Sequence, residues 1–368
     1  MAAIDPGPAP NLLDRLRIRR DRLFASPRFQ AWAARFPLTK ARARRDGQAL
    51  FDLVAGFAYS QALHATVSLE LPDRLANGPK SSQTLALETG FDPAAMQRLC
   101  QAASALGLLS RGRDGRFRLA RLGAALRGVP GLQDMILHHD ILYRDLARPE
   151  AFLRGETEPE LAGFWPYVFG AGAAADPEQA ARYSQLMTET QTLVAEETLK
   201  SVDLGRVSVL MDVGGGTGAF LRAALDRHEK LQGVLVDLPA VKAPPHPRMI
   251  HRPCDFQSEP LPEGADAISL IRVLYDHRDE VVAALLAKAH TALPAGGRII
   301  ISEPMSGGVS PTRSGDVYFA FYCMAMGTGT VRDAARISDL LREAGFSGVE
   351  IARMDRAFVT QVVTAVKA

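Results

Sequence analysis

The run Val209-Leu210-Met211-Asp212-Val213-Gly214-Gly215-Gly216-Thr217-Gly218 joins a buried-strand pattern to a glycine turn, and a second acid, Asp237, follows nineteen residues after Gly218. Glycines let the backbone turn sharply from strand to helix and approach a ligand that a Cβ would hold off. An acid closing the next strand can accept both hydroxyls of a ribose. This pairing points to an adenosine-type cofactor held by Asp212, Gly214, Gly216, Asp237 and the adjoining Leu238. Further along, Asp255 offers an acceptor for an adenine amino group and Phe256 a ring to cover the base. Ile271-Arg272-Val273 closes another strand, which places Arg272 at the same edge. The loop departs from GxGxxG, and no phosphate-cradling Gly-Lys-Ser/Thr follows it.

These residues need strands that end together. Beyond Val207 the chain alternates VSVLMDV, a helix from Ala219, GVLVDL, AISLI, a helix over Glu280–Leu293, RIIISEP, a helix over Ala334–Ala344 and a C-terminal pair around VEIA and FVTQVVTAV. That alternation predicts a doubly wound, mostly parallel α/β sheet with its ligand at the carboxyl ends of the strands.

Upstream, Phe51–Glu70 has apolar residues at helical spacing. Residues 81–90 and then a helix from Asp92-Pro93 to Leu108-Leu109 read as a helix-turn-helix, with Asp92 as N-cap and Pro93 at the first helical position. Ser110–Leu119 follows as a two-stranded wing turning at Asp114-Gly115. A winged helix raises the possibility of a DNA-binding regulator whose wing arginines (Arg111, Arg113, Arg116, Arg118) meet phosphates. The Ala94–Leu108 helix is mostly apolar, however, and suits dimerisation better than a DNA groove, so no nucleic-acid partner is expected. From Leu132 to Leu199 several helices are expected. The aromatic run FWPYVF (164–169) is either pocket lining or core, and GAGAAA (170–175) reads as a bend.

Net charge is +2, yet residues 1–50 hold eleven Arg or Lys against four Asp or Glu. LLDRLRIRRDRLF alternates apolar and basic residues at near-helical spacing, so this arm packs on a partner subunit or lies against an anionic membrane; a transit peptide is a weaker third option. No apolar run approaches a membrane span and the first ten residues lack a secretory pattern, so a cytoplasmic protein is expected. Cys100, Cys254 and Cys323 are far apart and odd in number, and read as reduced packing residues. No His and carboxylate set has metal-ligand spacing near the loop, so no metal is expected.

DVGGGTG with Asp237 looks like the S-adenosylmethionine loop of class I methyltransferases. From about residue 50 to the end, the winged helix, DVGGGTG, VDLP, ISLIRVLYD, ALPAGGRIIISEP and REAGF together resemble the plant-caffeate and acetylserotonin type of O-methyltransferase. SEPMSGG followed by GDVYFAFYCMAMGTG is similar to the carotenoid O-methyltransferases of purple phototrophic bacteria, which act on hydroxyneurosporene and demethylspheroidene. The resemblance implies a Rossmann-like class I methyltransferase sheet behind an N-terminal winged-helix dimerisation domain. It implies S-adenosyl-L-methionine as cofactor, S-adenosyl-L-homocysteine as product, a homodimer, and a lipophilic acceptor whose membrane partitioning would give the arm a purpose. The implied division is a basic arm over 1–48, a dimerisation domain over 49–130, a helical pocket region over 131–200 and the cofactor domain over 201–368. A bacteriochlorophyllide or phenolic acceptor remains the alternative within the enzyme reading.

The family's general base is the histidine of a His-Asp-Trp string, and Tyr275 occupies its place in Arg272-Val273-Leu274-Tyr275-Asp276-His277. A second family acid, about fifteen positions before the phenylalanine of AGF, falls near Val331 and is missing. Glu303 matches the supporting carboxylate. Alignment of two reactants contributes roughly 7–11 kcal/mol, and a base about 10²- to 10⁴-fold in rate, so methyl transfer survives the substitution. A tertiary alcohol still needs a proton acceptor. His277 is the expected one, with Tyr275 as orienter and Glu303 behind; a capping role for His277 stays open, as do proton-accepting or solvated roles for His138-His139. The helix-like run Asp316–Gly327 is apolar on nearly all sides and belongs to a core or to a greasy ligand.

Overall fold

The computed structural model describes residues 11–164 and 190–368. The run 165–169 and the bend 170–175 lie outside them. The chain divides into two compact units, Met1–Leu71 with Gly78–Arg118, and Pro72–Asn77 with Leu119–Ala368.

In the first unit, α1 (Leu12–Phe24), α2 (Pro27–Ala33) and α3 (Pro37–Ser68) follow one another. Helix α3 starts at Pro37 rather than at Phe51, so the expected boundary at residue 48 falls inside one continuous helix. Proline at the first helical position starts it. The polar run 39–48 is rich in helix formers but carries no apolar period, which hid it from pattern reading. After the short α4 (Leu71–Arg74), α5 (Ser82–Thr89) is capped by Ser81 and ends at Gly90, and α6 (Pro93–Ala105) is capped by the Asp92 carboxylate on the Ala95 N–H at 2.7 Å. Strands β1 (Leu109–Arg111) and β2 (Phe117–Leu119) form the two-stranded ribbon. Met96, Cys100 and Ala103 of α6 are buried, and Gln97 accepts a hydrogen bond from Ser82 Oγ at 2.6 Å, so these groups serve the unit's interior. In the ribbon, Arg116 pairs with Asp114 at 2.8 Å and Arg111 lies over the Phe117 ring at 5.8 Å.

The second unit opens with α7 (Arg121–Gly128), α8 (Leu132–Asp145), α9 (Pro149–Leu153), α10 (Glu160–Phe164) and a helix, α11, of which 190–201 is described. Then come β3 (Val209–Val213), α12 (Ala219–Arg227), β4 (Gln232–Asp237), β5 (Met249–Pro253), β6 (Ala267–Ile271), α13 (Asp279–Ala292), β7 (Arg298–Glu303), α14 (Ala320–Met326), α15 (Ala334–Glu343), β8 (Phe346–Ile351) and β9 (Gln361–Lys367). The sheet order is β5-β4-β3-β6-β7-β9-β8, parallel through β7, with β9 antiparallel to both β7 and β8. Side chains alternate between two cores: Met211, Ile268, Leu270, Ile299 and Ile301 pack on one face, Leu210, Ala267, Ile271 and Ile300 on the other. A sheet covered on both faces reads as continuous apolar runs, which is why β3, β4, β6 and β7 were visible in the sequence, whereas the largely exposed edge strand β5, MIHRP, was missed.

Connections leave β3 for β4 on one side and return to β6 on the other, so the order reverses between β3 and β6. The loops after these strands open the crevice where ligands bind in such sheets.

Candidate active site

At the end of β3 the chain turns through Gly214, with φ +68°, and Gly216, with φ +56°, conformations that a side chain strains. Gly215 is needed for space: a Cβ there would meet Asp212 Oδ2 and Leu235 Cδ1, each at 2.5 Å. A Cβ on Gly216 would meet nothing within 4 Å, so open space lies over the loop. The Gly216 N–H donates to Asp237 Oδ2 at 2.6 Å and the Leu238 N–H to Asp237 Oδ1 at 2.7 Å. An ionised carboxylate has about four acceptor positions, so two remain for a ligand's hydroxyls. Asp212 is fully buried, accepts from Ser269 Oγ at 2.6 Å, and has no partner for Oδ2 among the described residues. Burial pushes its carboxyl up to about 7, and the nearby Asp237 adds to the rise. Asp237 is also raised, again chiefly by burial. Two poorly solvated acids beside a glycine loop favour a ligand that carries positive charge.

Asp255 caps its own turn, accepting from the Gln257 N–H at 2.9 Å and Ser258 Oγ at 3.0 Å. Phe256 packs on the neighbouring core. His277 meets the Phe256 ring edge-on at 5.4 Å between centroids and is buried, which corrects the picture of an exposed capping residue. Desolvation, with the Arg332 charge second, lowers its imidazole to about 4.

Tyr275 lies in a single 3₁₀ turn, Leu274–Asp276, with a different set of neighbours. Its N–H donates to Glu303 Oε2 at 3.1 Å, its hydroxyl receives Arg272 Nη2 at 3.4 Å, and its ring meets Phe319 at 6.5 Å. Burial holds the phenol far above its ordinary range, so it stays neutral. Glu303 is fully buried, its Oε1 has no partner among the described residues, and burial pushes it up to about 7. Arg272 has φ +58°, an uncommon conformation for a non-glycine residue that costs on the order of 1–3 kcal/mol and clusters at functional sites. Its Nη1 donates to Thr190 Oγ1 at 3.1 Å.

The expected site residues thus fall into three groups: Asp212, Gly214, Gly216, Asp237 and Leu238 at the glycine loop; Asp255 and Phe256, with His277 on the Phe256 ring; and Arg272, Tyr275 and Glu303. Sequence reasoning missed Arg332, which is buried and donates to the carbonyls of Leu274 at 2.9 Å and His277 at 2.8 Å while pairing with Asp279 at 2.7 Å. A cation therefore fastens the Tyr275 turn beside the position where the family acid was sought. The signal available was an arginine directly after that gap. Sequence reasoning also left His138 and His139 unresolved between two roles. On α8 they are half-buried, with His138 Nε2 2.9 Å from the Tyr322 hydroxyl and His139 Nε2 2.7 Å from the Tyr318 hydroxyl, so neither lies on a solvated face. Among the described residues no group of three His, Cys, Asp or Glu gathers where a metal ion would sit.

The family description "O-methyltransferase domain" matches residues 143–347, and "O-methyltransferase dimerisation domain" matches residues 51–127. Demethylspheroidene O-methyltransferase of Cereibacter sphaeroides is 52% identical, covering 100% of this chain and 99% of that protein. The enzyme of the same name from Rhodobacter capsulatus is 48% identical over 98% of this chain and 92% of its own length. Among solved structures, CalO1, a methyltransferase of calicheamicin biosynthesis in its SAH-bound form, is 26% identical with a TM-score of 0.75, covering 88% of this chain and 98% of its own. Human N-acetylserotonin methyltransferase in complex with SAM shares the fold at the same TM-score, 0.75, and 21% identity. The chain belongs to the S-adenosylmethionine-dependent O-methyltransferase family. Its cofactor is S-adenosylmethionine, and the glycine loop, the open space over Gly216 and the two poorly solvated acids fit that cationic group.

Proposed function

We propose that this protein methylates the hydroxyl of a carotenoid intermediate, of the hydroxyneurosporene or demethylspheroidene kind, giving a methoxy carotenoid. The observation that carries the reading is the 52% identity, over 100% of this chain and 99% of the relative, to a demethylspheroidene O-methyltransferase. When bound, the cofactor supplies a methyl group activated by a sulfonium charge. Asp237 would accept the ribose hydroxyls through the lone pairs that Gly216 and Leu238 leave open, with Gly214 and Gly216 giving the backbone approach. Asp255 and Phe256 would flank the adenine, with His277 against Phe256. The negative charge of Asp237 would steady the cationic donor, the donor's own charge would favour ionised Asp212, and Arg272 would close the pocket between donor and acceptor.

In this reading Tyr275 orients the acceptor through its hydroxyl and Glu303 holds the Tyr275 backbone. His277, the expected proton acceptor, has a basicity lowered to about 4, which suits packing better than proton removal near neutral pH. The aromatic and methionine-rich stretch over α14 suits a long flexible polyene.

Residues 49–130 would form the dimerisation domain of a homodimer, 131–200 the acceptor pocket and 201–368 the cofactor domain. Residues 1–48 would lie at the cytoplasmic face of a membrane that dissolves the substrate; no helix among the described residues is long and apolar enough to cross one. The reading is tested by giving the protein methyl-labelled cofactor and a pigment extract. Label is expected in a methoxy carotenoid, and label confined to tetrapyrroles or phenols would refute the assignment.

A further inference from the structure

With Tyr275 in the place of the usual base, the acceptor's proton needs a destination, and α8 offers two imidazoles aimed at the same wall. His139 Nε2 lies 2.7 Å from the Tyr318 hydroxyl, and His138 Nε2 lies 2.9 Å from the Tyr322 hydroxyl. Tyr318 belongs to a π-helical turn, Ser314–Phe319, that runs directly into α14. Its ring meets Phe319 at 4.9 Å and Tyr322 at 6.1 Å, and Phe319 in turn meets Tyr275. One apolar patch, Leu142, Phe152, Leu161, Tyr322, Ala325 and Met326, fixes α8 against α14 and so fixes both pairs. The π-helical turn is itself a sign of local function, because the wider turn re-aims its side chains at a cost in hydrogen-bond geometry.

The two pairs differ. Tyr322 is buried, and His138 is lowered to about 4 by burial and by the charge of His139, so that imidazole does not hold a proton near neutral pH. Tyr318 is less buried than Tyr322, and its ring packs at 4.9 Å on Phe319, the residue that meets Tyr275 at 6.5 Å, so its pair with His139 is the one next to the Tyr275 turn.

We propose that Tyr318 and His139 form the proton relay for methyl transfer, with His139 as terminal acceptor and the Tyr322–His138 pair holding the wall in place. This rests on the carotenoid reading for its substrate. The acceptor oxygen forms its bond to the methyl carbon as the carbon–sulfur bond breaks, and that electron pair returns to sulfur, leaving a neutral thioether. The hydroxyl proton passes to Tyr318 Oη while the Tyr318 proton passes to His139 Nε2. Tyrosine is regenerated neutral, and the imidazolium later gives its proton to water. Burial raises the Tyr318 phenol well above its ordinary range, which suits a relay that never rests as phenolate.

The experiment measures turnover of the full chain with labelled cofactor and the hydroxylated carotenoid for wild type, Tyr318→Phe, His139→Gln and His139→Ala. Each variant is expected to lose about 10²- to 10⁴-fold in kcat with the cofactor KM within about twofold of wild type. Gln keeps an acceptor for the Tyr318 hydroxyl but does not retain a proton, so its loss separates relay from packing. Added imidazole should restore part of the His139→Ala rate and none of the Tyr318→Phe rate. Wild-type kcat in His139→Gln, or no rescue of a His139→Ala protein that still binds S-adenosylhomocysteine, would overturn the relay. Failure of the wild type on every hydroxylated carotenoid would instead contradict the substrate reading, and the variants would then be compared on the acceptor found in the labelled extract.

Discussion

Asp212 and Asp237 do different work although both are poorly solvated acids at one loop, Asp212 fully buried and Asp237 half-buried. Asp237 has backbone donors from Gly216 and Leu238 and open lone pairs, whereas Asp212 holds one hydroxyl and a bare oxygen. A hydrogen bond to a charged group contributes about 1.5–3 kcal/mol, so Asp237→Ala, which loses two to the ribose, should weaken cofactor binding roughly 10²- to 10⁴-fold in calorimetry. Unchanged affinity would remove Asp237 from the site. For Asp212 the folded carboxyl titrates near 7 against an ordinary 3.8. A raised pKa means that its contribution to stability is complete below about pH 4 and is lost progressively as pH rises to about 7. Asp212→Asn has no such loss. Chemical denaturation without cofactor should show the variant gaining on the wild type between about pH 4 and 7, and parallel curves would contradict the shift. At this scale the sequence was legible where spacing alone carries meaning, as in DVGGGTG and Asp237. It was not legible for His277, whose burial against Phe256 depends on a turn that periodicity does not describe, nor for the His139–Tyr318 pair, whose partners are 179 positions apart.

The 3₁₀ turn at Leu274–Asp276 has its own hydrogen bonds, from the Asp276 N–H to Val273 O at 3.2 Å and the His277 N–H to Leu274 O at 3.1 Å, and a strap holds it from outside. Thr330 N–H donates to Tyr275 O at 2.8 Å, Thr328 Oγ1 to Asp276 O at 2.9 Å, and Arg332 reaches the carbonyls on either side. Gly329 passes close enough that a Cβ would lie 2.7 Å from Tyr275 O. Leaving a buried carbonyl unsatisfied costs about 1–3 kcal/mol, so Arg332→Met, which strips the Leu274 and His277 carbonyls, should destabilise the protein by roughly 2–6 kcal/mol and lower kcat through a displaced Tyr275. Wild-type stability in that variant would contradict the strap. The central strands of this unit were readable because continuous apolar runs are local signals, as the Asp92-Pro93 cap of α6 is in the first unit. The strap was not, since it consists of loop atoms whose meaning comes from what they touch.

Across the whole molecule, the first unit exposes an apolar and basic surface that its own fold leaves uncovered. Leu12, Leu13, Leu16, Leu23 and Phe24 of α1 are all exposed, interspersed with Arg15, Arg17, Arg19, Arg20 and Arg22. If this arm meets an anionic membrane, replacing Arg15, Arg17, Arg19 and Arg20 with Gln should weaken co-sedimentation with phosphatidylserine vesicles roughly 10²-fold or more, at about 1 kcal/mol per cation. Absence of vesicle binding by the wild type would leave the arm to the partner subunit. The central claim concerns the acceptor, and a competition tests it most directly: purified protein, methyl-labelled S-adenosylmethionine, and equal amounts of a hydroxylated carotenoid and a phenol such as caffeate. The account predicts label in the methoxy carotenoid, increasing with time and dependent on Asp237, while the phenol stays unlabelled. Label in the phenol with none in the carotenoid would contradict it.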